Sequence, residues 1–172
     1  SLLSISPEEY PTIPTAEAVE FVQFEASLLA EMIDRTLYAT STDETRYNLN
    51  GVFMESEGDR LCFVATDGHR LARITKPMPG PSGFLASGII VPRKGVSEMR
   101  KLCDETDARV EVGLGDGFLM LRCPDRLLSC RLIDGESPNY RQILPKDHTH
   151  RLVISRERLS NAVRRIALVA PE

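Results

Sequence analysis

Apolar residues recur along this chain at two spacings, and the changes of spacing mark out its elements. Val22 and Phe24 alternate with Gln23 and Glu25 as in a strand. Leu29, Met32, Ile33, Thr36 and Leu37 then fall at helical spacing, with Ser27 placed to cap that helix. A polar loop from Ser41 to Thr45 separates the helix from strands expected at Leu49–Glu55 and Leu61–Thr66, with Gly58-Asp59 as the turn between them. Asp67-Gly68 follows, flanked by alternating apolar residues, and predicts a type I′ hairpin with positive φ at both residues and a third strand through Ile74. Lys76 to Gly88 is rich in Pro, Gly and Ser and reads as a loop. Ile89-Ile90-Val91 predicts a short buried strand. Pro92 suits the first turn of a helix whose stripe is Val96, Met99, Leu102 and Cys103. Strands are expected again at Ala108–Leu114, Phe118–Cys123 and Leu127–Ile133, with Gly115-Asp116-Gly117 turning the chain. The order is strand, helix, three strands, given twice.

The flanks break this pattern. Leu2 and Leu3 read as the end of a strand, and three prolines between Pro7 and Pro14 predict an extended connector. Asp134 to Pro145 predicts a second one. Beyond it, Leu152, Val153 and Ile154 read as a strand leading into a helical run through Ile166. Phe24, Leu29 and Ile33 reappear as Ile154, Leu159 and Val163, a shift of one domain length. The expected organisation is therefore the end of one domain and a connector at 1–18, a whole domain at 19–134, a connector at 135–150, and the start of a further similar domain at 151–172. On this reading the chain is an excerpt of a tandem array.

Composition alters this picture in three places. The formal net charge of −4 argues against a protein that grips nucleic acid over a broad surface, while leaving room for a local basic face. The four cysteines, at 62, 103, 123 and 130, form no C-x-x-C pair, and their apolar settings predict reduced, mostly buried thiols. No apolar run approaches the ~20 residues of a membrane span, so the expected location is the cytosol and no membrane partner is expected.

The stretch Val64-Ala65-Thr66-Asp67-Gly68-His69-Arg70-Leu71-Ala72 carries the most distinctive chemistry. An imidazole, a guanidinium and an apolar side chain stand beside an open turn, as on a surface that touches something; equally, His69 and Arg70 could simply finish a hairpin. Asp67 and His69 could also be metal ligands or an acid–base pair. Asp67 is however expected in the turn, His148 and His150 flank a polar connector, and no nucleophile elbow, phosphate-binding loop or G-x-G-x-x-G is present. No enzyme, metal or cofactor is expected. Arg93 and Lys94 fall in the first turn of a helix, where the macrodipole opposes positive charge; phosphate contact and plain solvation both account for them.

Four separated motifs then resemble one family. Val64–Ala72, Leu49-Asn50-Gly51, Ile90-Val91-Pro92-Arg93-Lys94-Gly95 and Pro138-Asn139-Tyr140-Arg141 are similar, in order, to the middle domain of the bacterial sliding clamp, the beta subunit of DNA polymerase III. The resemblance covers nearly the whole chain. It implies an α+β DNA-clamp fold, with helices on one face of antiparallel sheets, and a homodimeric ring of three such domains per protomer around duplex DNA. A ring holds DNA by topology, so a weakly attractive lumen suffices, and each added phosphate contact would slow sliding.

The resemblance also implies two sites. Short linear motifs of replicative and translesion polymerases, the clamp loader and repair factors would dock on Leu49, Thr66, Gly68, His69, Arg70, Leu71, Pro138 and Ile143. Leu49, Leu71, Pro138 and Ile143 would line an apolar hole, Gly68 would give clearance, and His69 and Arg70 would supply donors at the rim. Arg46, Tyr47, Arg93 and Lys94 would face DNA. Gln142 stands where the family often has a second arginine, and Asp43 where some relatives have a neutral polar residue. Glu31 and Asp34 beside Arg35 make the first helix only mildly basic.

Overall fold

In the computed structural model the described residues are 19–81, 83–106, 109–135, 139–145, 147 and 149–170, with Glu44 described by its backbone alone. They fall into two compact units, one within 19–135 and one within 139–170. The first runs β1 (Phe21–Glu25), α1 (Ala26–Asp34), β2 (Gly51–Glu57), β3 (Arg60–Thr66), β4 (Leu71–Pro77), β5 (Ile89–Pro92), α2 (Arg93–Asp104), β6 (Arg109–Gly115), β7 (Phe118–Cys123) and β8 (Arg126–Arg131). The strand, helix, three-strand order does occur twice.

The two repeats interlock. β1 pairs with β6, giving an antiparallel sheet β1-β6-β7-β8, and β5 pairs with β2, giving β4-β3-β2-β5. Each strand that leads into a helix thus joins the three strands of the other repeat. The Ile133 N–H donates to Ile90 O at 2.9 Å, tying the tail of β8 to β5. The core includes Phe24, Leu29, Met32 and Ile33 from the first β-α pair, Val91, Val96 and Met99 from the second, and Val110, Leu119 and Leu121 from β6 and β7. α1 and α2 are joined by Arg100, whose Nε donates to Asp34 Oδ1 at 2.7 Å and which also pairs with Asp104. Burial pushes the Cys103 thiol up to about 11; Cys62, Cys103, Cys123 and Cys130 are all free thiols, the first three buried.

Several boundaries differ from expectation. α1 begins one residue ahead of Ser27, which therefore cannot cap it; Glu25 is the N-cap and makes no side-chain cap bond. The helix also stops before Leu37. The buried Thr36 hydroxyl donates to Met32 O at 2.8 Å and to Ile33 O at 3.3 Å, engaging carbonyls of the last turn, and a 3₁₀ turn at Leu37–Ala39 follows. A second 3₁₀ segment, Glu44–Leu49, begins at the end of the expected polar loop and takes Leu49 out of β2.

The type I′ turn lies at a different Asp-Gly. Asp116 (φ 48°) and Gly117 (φ 77°) form it between β6 and β7. At Asp67-Gly68 only Gly68 has positive φ, 91°, and the closing pair Thr66–Leu71 leaves a four-residue loop.

In the second unit, the expected extended connector contains a short helix, α3 (Tyr140–Ile143), and residues 150–155 form no strand. α4 (Arg156–Ala167) follows, with the Arg158 N–H donating to Ser155 Oγ. The expected features at 1–18, and Pro138, lie outside the described residues.

Candidate functional site

Residues 67–70 are latched by short polar side chains. Asp67 Oδ1 accepts from the His69 N–H at 2.9 Å and the Arg70 N–H at 3.0 Å, while Oδ2 accepts from Arg70 Nε at 3.0 Å. Thr66 Oγ1 accepts from the Gly68 N–H at 3.1 Å and donates to Arg70 O at 2.7 Å. Four side-chain-to-backbone bonds thus do what a tight turn's ladder would otherwise do. The Arg70 and His69 amides, followed by the Arg70 guanidinium, hold the Asp67 carboxyl down at about 2. Asp67 is therefore an ionised turn latch, and it is in no group of metal ligands among the described residues. Gly68, His69 and Arg70 are exposed, and Leu71 is half-buried at the head of β4.

A Cβ on Gly68 would stand 3.1 Å from Arg46 Nη1, so the Arg46 guanidinium lies over the turn. A polar concavity of about 400 Å³ is lined there by Tyr38, Arg46, His69, Arg70 and Arg93, among others, with Asp43 and Asp67. Two residues expected on the DNA face, Arg46 and Arg93, thus share a wall with two expected at the peptide rim. The Asp43 carboxyl is held below its usual range by the Thr45 hydroxyl and amide, and its nearest approach to Arg46 is 3.9 Å. Among the described residues Arg93 has no carboxylate partner; its N–H donates to Asn50 O at 2.8 Å.

Leu71 lines a second, more open concavity with Ile74, Arg35 and Lys76, of about 540 Å³. Leu49 and Ile143 line neither; Leu49 is half-buried at the end of its 3₁₀ segment, and Ile143, in the second unit, is 61% exposed. Lys94 is exposed in the first turn of α2, and Tyr47 is 60% exposed. Gln142 is exposed on α3.

Residue spacing gave no hint of Tyr38. It is 59% exposed, its ring lies 5.8 Å from the Arg70 guanidinium carbon, and it is the one residue common to both concavities. On helical spacing it falls on the polar side of α1 with Glu31, Asp34 and Arg35, which accounts for its exposure but not for its place beside Arg70.

Residues 23–139 match the family described as DNA polymerase III beta subunit, central domain. The chain belongs to that family. A beta sliding clamp of Escherichia coli K12 is 33% identical over 100% of this chain and 46% of its own length, and that of Synechococcus elongatus is 32% identical over 98% and 45%. Among solved structures, the Bacillus subtilis DNA polymerase sliding clamp superposes with a TM-score of 0.89 at 28% identity, covering 98% of this chain and 44% of that one. A Bartonella birtlesii sliding clamp solved with griselimycin gives 0.86 at 32% identity, with 96% and 45% covered. The chain spans about half the length of the curated relatives it matches. The fold is that of these clamps, an α+β arrangement of antiparallel sheets. No helix among the described residues is long and apolar enough to cross a membrane.

Proposed function

We propose that this chain is the central part of a DNA sliding clamp, a non-catalytic processivity factor that encircles duplex DNA as a homodimeric ring. It would work in the cytoplasm and dock short linear motifs of polymerases, the clamp loader and repair proteins. Family membership across 23–139 supports the clamp reading. The observation that carries the docking reading is the latched 67–70 turn, which presents His69 and Arg70 at an open surface beside Leu71. An ordered turn lowers the entropy lost when an extended segment binds.

The domain plan goes with this reading: 1–18 ends a preceding clamp domain, 19–134 is a whole one, 135–150 connects, and 151–172 opens another. α1 and α4 begin at Ala26 and Arg156, the same shift as the repeated apolar residues, which supports that plan. Thr66 shapes the turn and Gly68 gives clearance; Leu49 and Leu71 supply apolar contact, the role that the resemblance alone implies for Pro138 and Ile143. Lys94, Tyr47, Arg46 and Arg93 meet phosphate.

Titration of a short peptide from a clamp-dependent polymerase against this chain tests the docking reading. Leu71→Ala and His69→Ala are each expected to weaken binding by about tenfold or more, the loss of ~1.4 kcal/mol. Unchanged affinity in both variants would remove the docking assignment. Retention of the full-length protein on circular but not linear duplex DNA tests the ring.

A further inference from the structure

Where β5 meets the tail of β8, the seam between the two sheets is tied by the backbone and leaves a hollow beside it. The Ile133 N–H donates to Ile90 O at 2.9 Å, and the Leu132 N–H donates to Gly117 O at 2.8 Å. Next to these bonds lies a concavity of about 440 Å³, lined by Phe53, Ile89, Leu132 and Ile133, each only half-buried. Gly88 (φ 66°) backs onto the Phe53 ring, which any Cβ there would strike, so the wall is tight. Among the described residues that line the hollow, Asp134 is the one charged side chain. It is exposed and makes no ion pair or hydrogen bond, and the Ser87 hydroxyl is equally unengaged. The contrast with the rest of the surface is sharp. The carboxylates that line the concavities over the 67–70 turn, beside Leu71, and between α1 and the end of α2 are each paired with an arginine or lysine. Nor does the seam share a lining residue with the two concavities at the 67–70 turn and Leu71.

We propose that this seam binds a polypeptide segment that presents a lysine or arginine next to an apolar side chain. The apolar side chain fills the hollow against Ile89, Leu132 and Ile133, and the cation reaches the Asp134 carboxylate at its mouth. A volume of this size falls within the range of small-ligand sites, so it takes one or two side chains rather than a whole helix face. Removal of half-buried apolar surface from water supplies the affinity. The ion pair adds little to that, because Asp134 is exposed; it decides instead which segment is accepted, and an acidic one is repelled. The same lone carboxylate, with no cation beside it in the lining, disfavours a nucleic acid strand. A polypeptide is favoured over a small amine because Gly117 and Gly135, both exposed and at positive φ, leave bare main chain at the rim that another backbone can approach closely. The site goes beyond the docking reading and uses none of its residues. A partner holding both surfaces through one linker would gain avidity from the second contact.

The test titrates the isotope-labelled 172-residue chain with the blocked dipeptides acetyl-Leu-Lys-amide, acetyl-Leu-Gln-amide and acetyl-Leu-Glu-amide, read by amide NMR shifts. The amides of Ile89, Leu132, Ile133 and Gly135 are expected to move, with the Lys peptide binding about threefold more tightly than the Gln peptide and the Glu peptide weakest. Asp134→Asn should make the Lys and Gln peptides equal while leaving the Gln peptide as it was. Leu132→Ala should weaken all three, with an amide spectrum that shows the chain still folded. Equal binding of Lys and Gln peptides by the parent chain, or a Lys preference that survives Asp134→Asn, overturns the proposal. Shifts confined to residues 67–71 also overturn it and leave the docking reading standing. Phenethylamine that moves the seam amides in an Asp134-dependent way, where the dipeptides do not, assigns the hollow to small amines and overturns the polypeptide.

Discussion

Gly95→Ala isolates how α2 is seated and, with it, the placement of Arg93 and Lys94. Gly95 lies buried in the first turn of α2, at ordinary helical φ, so the substitution meets no backbone penalty. Alanine in a helix interior is worth about 1 kcal/mol over glycine. Against that, the new Cβ would stand 2.1 Å from Cys130 Sγ and 3.3 Å from Cys130 Cβ, with Val91 Cγ1 in ordinary contact at 3.6 Å. Overpacking of this kind costs roughly 1–3 kcal/mol. The two effects oppose each other, and the expected net is a destabilisation of up to about 2 kcal/mol. Cys130→Ala removes the one atom that cannot coexist with the new methyl. The double variant should therefore recover most of the loss, with a coupling energy of about 1–3 kcal/mol. Urea titrations followed by far-ultraviolet circular dichroism supply the four stabilities of the cycle, and equal m-values confirm that only stability changed. A Gly95→Ala chain that is more stable than the parent, with no coupling to Cys130→Ala, would refute the close approach of α2 to β8.

Three further outcomes are expected. Gly68→Ala places a side chain at φ 91° and 3.1 Å from Arg46 Nη1, so it should cost about 1–2 kcal/mol and reduce peptide affinity, read by denaturation and titration together. The Asp67 carboxyl is held at about 2, below its ordinary value, so the latch is complete above the ordinary carboxylate range and is lost as pH falls through about 2. Amide shifts of His69 and Arg70 in an NMR titration should report that midpoint, and a midpoint near the ordinary value would contradict the latch. Thr36→Val deletes a fully buried hydroxyl that donates to Met32 O at 2.8 Å; the loss should be about 1 kcal/mol in thermal or urea unfolding, with faster amide exchange over Leu37–Thr40.

Much of the fold is legible in the chain because its signals are local. The strand expected at Phe118–Cys123, next to the turn at Gly115-Asp116-Gly117, has those bounds, and Gly58-Asp59 does turn the chain between β2 and β3. The two Asp-Gly dipeptides show the limit of such signals. At Asp116-Gly117 the ladder runs up to the turn, with Gly115 opposite Phe118, so both residues take positive φ. At Asp67-Gly68 the ladder ends four residues apart, and the Asp67 carboxylate, with two backbone N–H groups to accept, settles the loop by itself. Identical dipeptides give different turns because strand register is a tertiary quantity.

The candidate site was half visible. Thr66, Gly68, His69, Arg70 and Leu71 are contiguous, so reading one of them reads them all. Arg46 and Arg93 were legible as cations but were assigned elsewhere, because nothing in one dimension says that a 3₁₀ segment and a helix start converge over Gly68. Tyr38 was invisible for the same reason.

Sequence alone determined the periodicities, the repeated strand, helix, three-strand order and the family motifs, all of which are set by residues close along the chain. The tertiary structure alone decided that each repeat lends its first strand to the other's sheet, since β1 pairs with β6 and β5 with β2 across many intervening residues. That exchange depends on which apolar faces can be buried together, and no local spacing encodes it.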